Sequence, residues 1–163
     1  MTEIQKKLVL FDIDGVLADD THRVKYALNK QWGDYFDRIH LDSPLEEGIE
    51  LAKSYENRPD VELQYLTGRR IDLYEQTRNW LKFHHLPNPE RITMRGFAHR
   101  DVLAKFKVGV IRNALEGGYF SSVLLYEDDP EVVRLVNETF GEGTAVLTTW
   151  YVKQSAMIKS AKS

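Results

Sequence analysis

The chain has 163 residues, 42% of them hydrophobic, and no cysteine. That length suits one buried core and is short for two, and the missing cysteine excludes disulfides and thiolate ligands, so a metal would be held by oxygen or imidazole and a reducing cytoplasm suits the protein. A formal net charge of −3 argues against a broad basic face for long nucleic acid, while leaving room for a nucleotide or a strand end.

The opening residues lead directly into a short apolar run, and nowhere do 18 apolar residues follow one another, so neither secretion nor a membrane span is expected. Residues 8–11 predict the first strand. The polar, aromatic stretch 20–42, with Tyr26, Trp32, Tyr35 and Phe36, predicts a short helical insertion. Leu45, Ile49 and Ala52 then recur at helical spacing, followed by a strand over 61–66 and a second helical pattern at Leu73, Thr77, Trp80 and Leu81. A strand over 91–94 precedes a helix carrying Val110, Ile111, Ala114 and Leu115. A strand over 122–126, a helix with Val132, Val136 and Phe140, and a strand over 144–148 complete the pattern. Pro87-Asn88-Pro89, Gly117-Gly118 and Gly141-Glu142-Gly143 punctuate it as turns.

Such alternation predicts an α/β, three-layer α/β/α Rossmann-like fold with a central five-stranded parallel sheet and at most a small helical insertion as cap. One domain over residues 1–150 is expected, with 20–42 as the insertion and 151–163 as a short tail. In such folds chemistry gathers beyond the carboxyl ends of the strands.

There the sequence places its most reactive residues. The first strand ends in Phe11-Asp12-Ile13-Asp14-Gly15, two carboxylates at i and i+2, which in extended chain share one face. An ordinary Asp-Gly turn is the plainer alternative. The second strand closes in Leu66-Thr67-Gly68-Arg69, where Thr67 alone would read as a helix cap. A lysine-bearing helix follows, and the fourth strand closes in Glu127-Asp128-Asp129-Pro130, where Asp129 suits a helix N-cap. Lys105 and Lys107 compete for the crevice. Lys107 is favoured, in the first exposed turn of a buried helix, because Lys105 lies four residues after Asp101 and suits a surface ion pair.

Asp12-Ile-Asp14-Gly-Val-Leu resembles the signature of the haloacid dehalogenase superfamily, and the later elements follow in its order up to Asp129. The resemblance implies a phosphatase: Asp12 as nucleophile, Asp14 as general acid and base, Thr67 and Lys107 as donors to the phosphoryl oxygens. It also implies Mg²⁺ held by Asp12, Asp128 and the backbone carbonyl of Asp14, with Glu127 supporting the site or orienting Lys107.

Arg23, eleven positions after Asp12, and Arg69 look like the two arginines of the polynucleotide kinase 3′-phosphatase group, as in phage polynucleotide kinase. Residues 77–81, 92–95 and 127–133 look similar to that group as well. No Gly-x-x-x-x-Gly-Lys-Ser/Thr loop is present, so a kinase half is missing. The implied substrate is a 3′-phosphate of a nucleotide or nucleic acid end, bound by Arg23, Gly68 and Arg69, with the arginines at the rim of an open crevice; surface salt bridges are the alternative fate of both. A phosphatase of small phosphometabolites or 5′-nucleotides, and a non-catalytic binding module on the same fold, are the rival functions. His84 and His85, being adjacent, suit a helix C-terminus better than a shared metal ion.

Overall fold

The computed structural model describes residues 5–97 and 101–151. Five parallel strands form the central sheet: β1 (Lys6–Phe11), β4 (Val61–Arg70), β5 (Ile92–Arg95), β6 (Phe120–Glu127) and β7 (Ala145–Leu147), in the order β5-β4-β1-β6-β7. A separate ribbon of two-residue strands, β2 (Ala18–Asp19) and β3 (Ser43–Pro44), pairs antiparallel with Asp19 opposite Ser43. Between its strands lie residues 20–42, folded as α1 (Val24–Leu28), α2 (Trp32–Asp37) and short 3₁₀ turns. The larger helices are α3 (Glu46–Ser54), α4 (Tyr74–Phe83), α5 (Leu103–Glu116) and α6 (Pro130–Phe140).

Strand alternation explains the three layers. Val9 and Phe11 of β1 point to one face and join Leu63, Tyr65, Ile49, Ala52, Trp80 and Leu81, so α3 and α4 cover that side. Leu8 and Leu10 point to the other and join Val123, Leu125, Phe106, Ile111, Val132 and Val136, so α5 and α6 cover that one. With both faces covered, β1 is buried from Leu8 onward, as central parallel strands are. The insertion keeps a small aromatic core of its own around Val24, Ala27 and Tyr35, and its Ile39 packs on Leu73 and Met94.

Gly48 seats α3 under the turn that follows β1, for a Cβ there would fall 1.9 Å from the Val16 carbonyl oxygen. That turn is wound tightly, with the N–H groups of Val16, Leu17 and Ala18 all donating to the Ile13 carbonyl.

All five expected strands and the four long helices are present, with shifted ends. β4 runs on to Arg70 instead of stopping at residue 66, through an irregularity in its pairing with β5 that brings Arg70 opposite Arg95. Thr67, Gly68 and Arg69 therefore lie on the strand itself. α5 begins at Leu103 because Ala104, Phe106 and Val108 extend its buried stripe, so Lys107 sits in the second turn, fully buried, and not in an exposed first turn. Of the expected 151–163 tail, Tyr151 is buried and donates to Asp20 at 3.0 Å; the remainder lies outside the described residues.

Candidate active site

Parallel pairing carries the reactive segments to one edge of the sheet. Phe11 is level with Tyr65 on one side and Tyr126 on the other, so two residues further on stand Ile13, Thr67 and Asp128, flanked by Asp12 and Asp14. The Asp12 N–H donates to the Tyr126 carbonyl at 3.0 Å, which ties the nucleophile candidate to β6 as the chain leaves the sheet.

Two clusters meet here. In the first, Asp12, Glu127 and Asp128 are buried and each offers a carboxylate oxygen within 4.8 Å of the others. Lys107, with no exposed side-chain surface, places Nζ 3.1 Å from Asp12 Oδ1 and forms a second ion pair with Glu127 Oε2. Glu127 is fixed in turn, for its Oε1 accepts the N–H groups of Asp128 and Asp129 at 3.1 Å each. Asp129 turns away and caps α6, accepting from the Glu131 N–H at 3.0 Å ahead of Pro130. Three buried carboxylates facing one lysine form an acidic, all-oxygen donor set, and the chemistry of that set fits a hard divalent cation. Among the described residues that group includes no histidine; His84 and His85 follow the last turn of α4.

The second cluster surrounds Asp14. Arg69 reaches it with Nε at 3.1 Å and Nη2 at 2.7 Å, a two-point grip, and Arg23 Nη2 adds a contact at 2.9 Å. Both guanidinium groups are sealed from solvent, at 0% and 1% side-chain exposure, while Asp14 keeps 14%. The arginines therefore stand behind Asp14 and not on the rim of a crevice. Asp42, also buried, takes Arg23 Nε and Nη2 at 2.7 Å each and Arg69 Nη2 at 3.4 Å. Arg69 Nη1 donates to Thr77, and the Arg23 guanidinium lies 4.3 Å over the Tyr35 ring. Burial works against both arginine charges, yet Asp14 and Asp42 outweigh it, so both groups hold their protons more tightly than an ordinary arginine. The Tyr35 hydroxyl is pushed above its usual range by burial and by Asp14, and donates to Asp20 at 3.0 Å.

No protein-family model matches the chain. A curated protein of Autographa californica nuclear polyhedrosis virus, described as a bifunctional polynucleotide kinase/RNA ligase, is 28% identical over 131 residues, which cover 79% of this chain and 17% of that protein. A class C acid phosphatase from Bacillus anthracis superposes with a TM-score of 0.65 at 18% identity, over 91% of this chain and 68% of its own. A hydrolase of the haloacid dehalogenase-like family from Streptococcus pneumoniae does so with 0.59 at 15% identity, over 96% and 91%. The chain has the haloacid dehalogenase-like fold. A chain of the Pnkp1/Rnl/Hen1 RNA repair complex also shares it, with a TM-score of 0.69 at 18% identity over 88% of this chain and 42% of that one. This chain thus spans a small part of the viral relative and under half of the repair-complex chain.

Within the haloacid dehalogenase-like frame, Asp12, Lys107 and Asp128 fall in one cluster and Asp14, Arg23 and Arg69 in the other. Thr67 lies buried on β4 beside β1, its Oγ1 accepting the Arg69 N–H at 3.2 Å. Gly68 of β4 lies close under α5, where a Cβ would press on Leu103 at 2.6 Å. Lys105 is exposed, whereas Lys107 meets the acidic cluster. Glu127, expected to support the site or orient Lys107, does pair with that lysine. One member was not singled out from sequence as a member of these clusters. Asp42 figured only as the end of the insertion, and Leu-Asp-Ser-Pro carries no local mark of its partners. No helix among the described residues is long and apolar enough to cross a membrane.

Proposed function

We propose that this chain is a Mg²⁺-dependent phosphoric monoester hydrolase that works through an aspartyl-phosphate on Asp12, acting on 3′-phosphates of nucleotides or nucleic acid ends. The observation that carries the reading is the pairing of two aspartates two residues apart in opposite settings: Asp12 among carboxylates and a buried lysine, Asp14 in a grip of arginines.

In this reading Asp12 and Asp128, with the backbone carbonyl of Asp14, hold the cation, which offsets the charge that otherwise keeps a carboxylate from attacking a phosphate ester. Lys107 fixes the Asp12 carboxylate and, with Thr67, offers donors to the phosphoryl oxygens. An Asp12 oxygen bonds to phosphorus as the ester oxygen departs, and Asp14 gives that alkoxide its proton. Asp14 then takes a proton from the water that attacks phosphorus, the bond to Asp12 breaks, phosphate leaves, and both carboxyl groups return to their starting states. Arg23 and Arg69 contribute first through Asp14, which stands between them and solvent; Gly68 lets Leu103 of α5 approach β4.

The substrate class is supported by the resemblance of the paired arginines, by the likeness to the viral polynucleotide kinase/RNA ligase, and by the small insertion, since no large lid stands over the crevice among the described residues. A panel of 3′- and 5′-phosphorylated mononucleotides and oligonucleotides with small sugar phosphates, assayed with Mg²⁺ for released phosphate, tests it. The 3′-phosphorylated members should be hydrolysed best. Good turnover of sugar phosphates with every 3′-phosphate untouched would overturn the substrate class, and no turnover of any ester would leave a binding module.

A further inference from the structure

We infer that Asp42 is a positioning residue for proton transfer: it fixes Arg23 and Arg69 in the arrangement that orients the Asp14 carboxylate toward the crevice. The inference rests on the reading of Asp14 as general acid and base.

Asp42 is itself unusually well held. It closes the insertion next to the β2–β3 ribbon, its N–H donates to the Ile39 carbonyl at 3.0 Å, and its carbonyl accepts Trp80 Nε1 of α4 at 2.8 Å. Its carboxylate has no exposed surface and receives three groups: Arg23 by two N–H bonds at 2.7 Å, His22 Nε2 at 2.7 Å, and Arg69 Nη2 at 3.4 Å. A buried carboxylate in a small domain needs such compensation, but it need not share both its arginines with another aspartate. Here it does. Arg23 Nη2 bridges Asp42 Oδ2 and Asp14 Oδ1, and Arg69 Nη2 bridges the same two oxygens.

The planar forks make the geometry transmissible. Arg23 docks on Asp42 through Nε and Nη2, which fixes the plane of its guanidinium and hence the direction of the Nη2 bond to Asp14. Arg69 docks on Asp14 through Nε and Nη2 while Thr77 holds Nη1. Asp14 is therefore aimed by two forks, one of them docked on Asp42 and backed by the Tyr35 ring. Without that carboxylate, two like charges would share Asp14 alone and would be free to separate. A misplaced proton donor is costly, since an error of about 1 Å in a catalytic geometry can cost on the order of 100-fold.

Leaving-group dependence tests this, because departure of an aryl oxide needs no proton and departure of a nucleoside alkoxide does. Wild type, Asp14→Asn, Asp42→Asn and the double variant are compared on a nucleoside 3′-monophosphate and on 4-nitrophenyl phosphate, with melting curves to confirm folding. Asp42→Asn should lose on the order of 10- to 100-fold on the nucleotide and at least about tenfold less on the aryl ester. In the Asp14→Asn background it should add nothing further on the nucleotide. Equal losses on both esters, no loss, or full additivity in the double variant overturns the positioning role. Should Asp42→Asn not fold, Asp42→Glu, which keeps the charge and shifts the fork by one methylene, must show the same alkyl-selective loss or the inference fails. If Asp14→Asn itself lacks that selectivity, the general-acid reading fails first and takes this inference with it; if it has the selectivity and Asp42→Asn does not, this inference falls alone.

Discussion

The two sides of the Asp12–Asp14 segment are built from the same chemical types in opposite proportions. On the Asp12 side three buried carboxylates face one lysine, and on the Asp14 side two carboxylates face two arginines. Charge on the second side is closed within the chain, whereas the first carries an excess of negative charge that a bound cation would complete. The difference teaches how two aspartates only two residues apart can be given separate tasks. Under the proposed function, the attacking carboxylate would stand beside the cation, and the carboxylate that transfers the proton would be held in place by the two guanidinium forks.

The largest effect should come from emptying the acidic side. Activity should disappear with a chelator and return with Mg²⁺, because the donor set is all oxygen. The same treatment should leave the arginine side intact, so the far-ultraviolet dichroism should change little while the melting temperature falls. Hydrolysis that survives exhaustive chelation would end the distinction between the two sides.

Next comes the lysine that offsets that side. Lys107→Met leaves its carboxylates without their cation and should cost about 3–5 kcal/mol of stability as well as most of the activity. Mg²⁺ should then raise the melting temperature of the variant more than that of the wild type, since the ion partly replaces the lost charge. The matched change Lys105→Met, on the exposed face of α5, should stay within about 0.5 kcal/mol. Equal effects of the two substitutions would remove Lys107 from the site.

A smaller effect is expected on the arginine side from Arg23→Lys, which keeps the charge and loses the fork. Rates on a nucleoside 3′-phosphate and on a small alkyl phosphate should fall together, on the order of tenfold or more, with an aryl phosphate affected less. A loss confined to the nucleotide would mean instead that Arg23 touches the substrate beyond its phosphate.

Sequence and structure agree where contacts are local or set by strand alternation. Asp12 and Asp14 on one strand end, Thr67 and Asp128 on the neighbouring strands, and the two-faced core follow from period-two and helical spacing. Helix and strand ends were less legible, since the apolar stripe of α5 begins at Ala104 and the extension of β4 to Arg70 depends on pairing with β5. The arginine side was half visible. Arg23 and Arg69 stood out, but their burial depends on how residues 20–42 fold back on α4 and β5, and Asp42 gains its partners only through that tertiary closure.

The central claim is that Asp12 becomes phosphorylated. Acid quenching of the enzyme during turnover of a 3′-phosphorylated nucleotide, borohydride reduction of the acyl phosphate to an alcohol, and peptide mass spectrometry would locate the modified residue. Homoserine is expected at position 12, dependent on substrate and Mg²⁺. Turnover with no reduced residue, or with the modification at any other carboxylate, would contradict it.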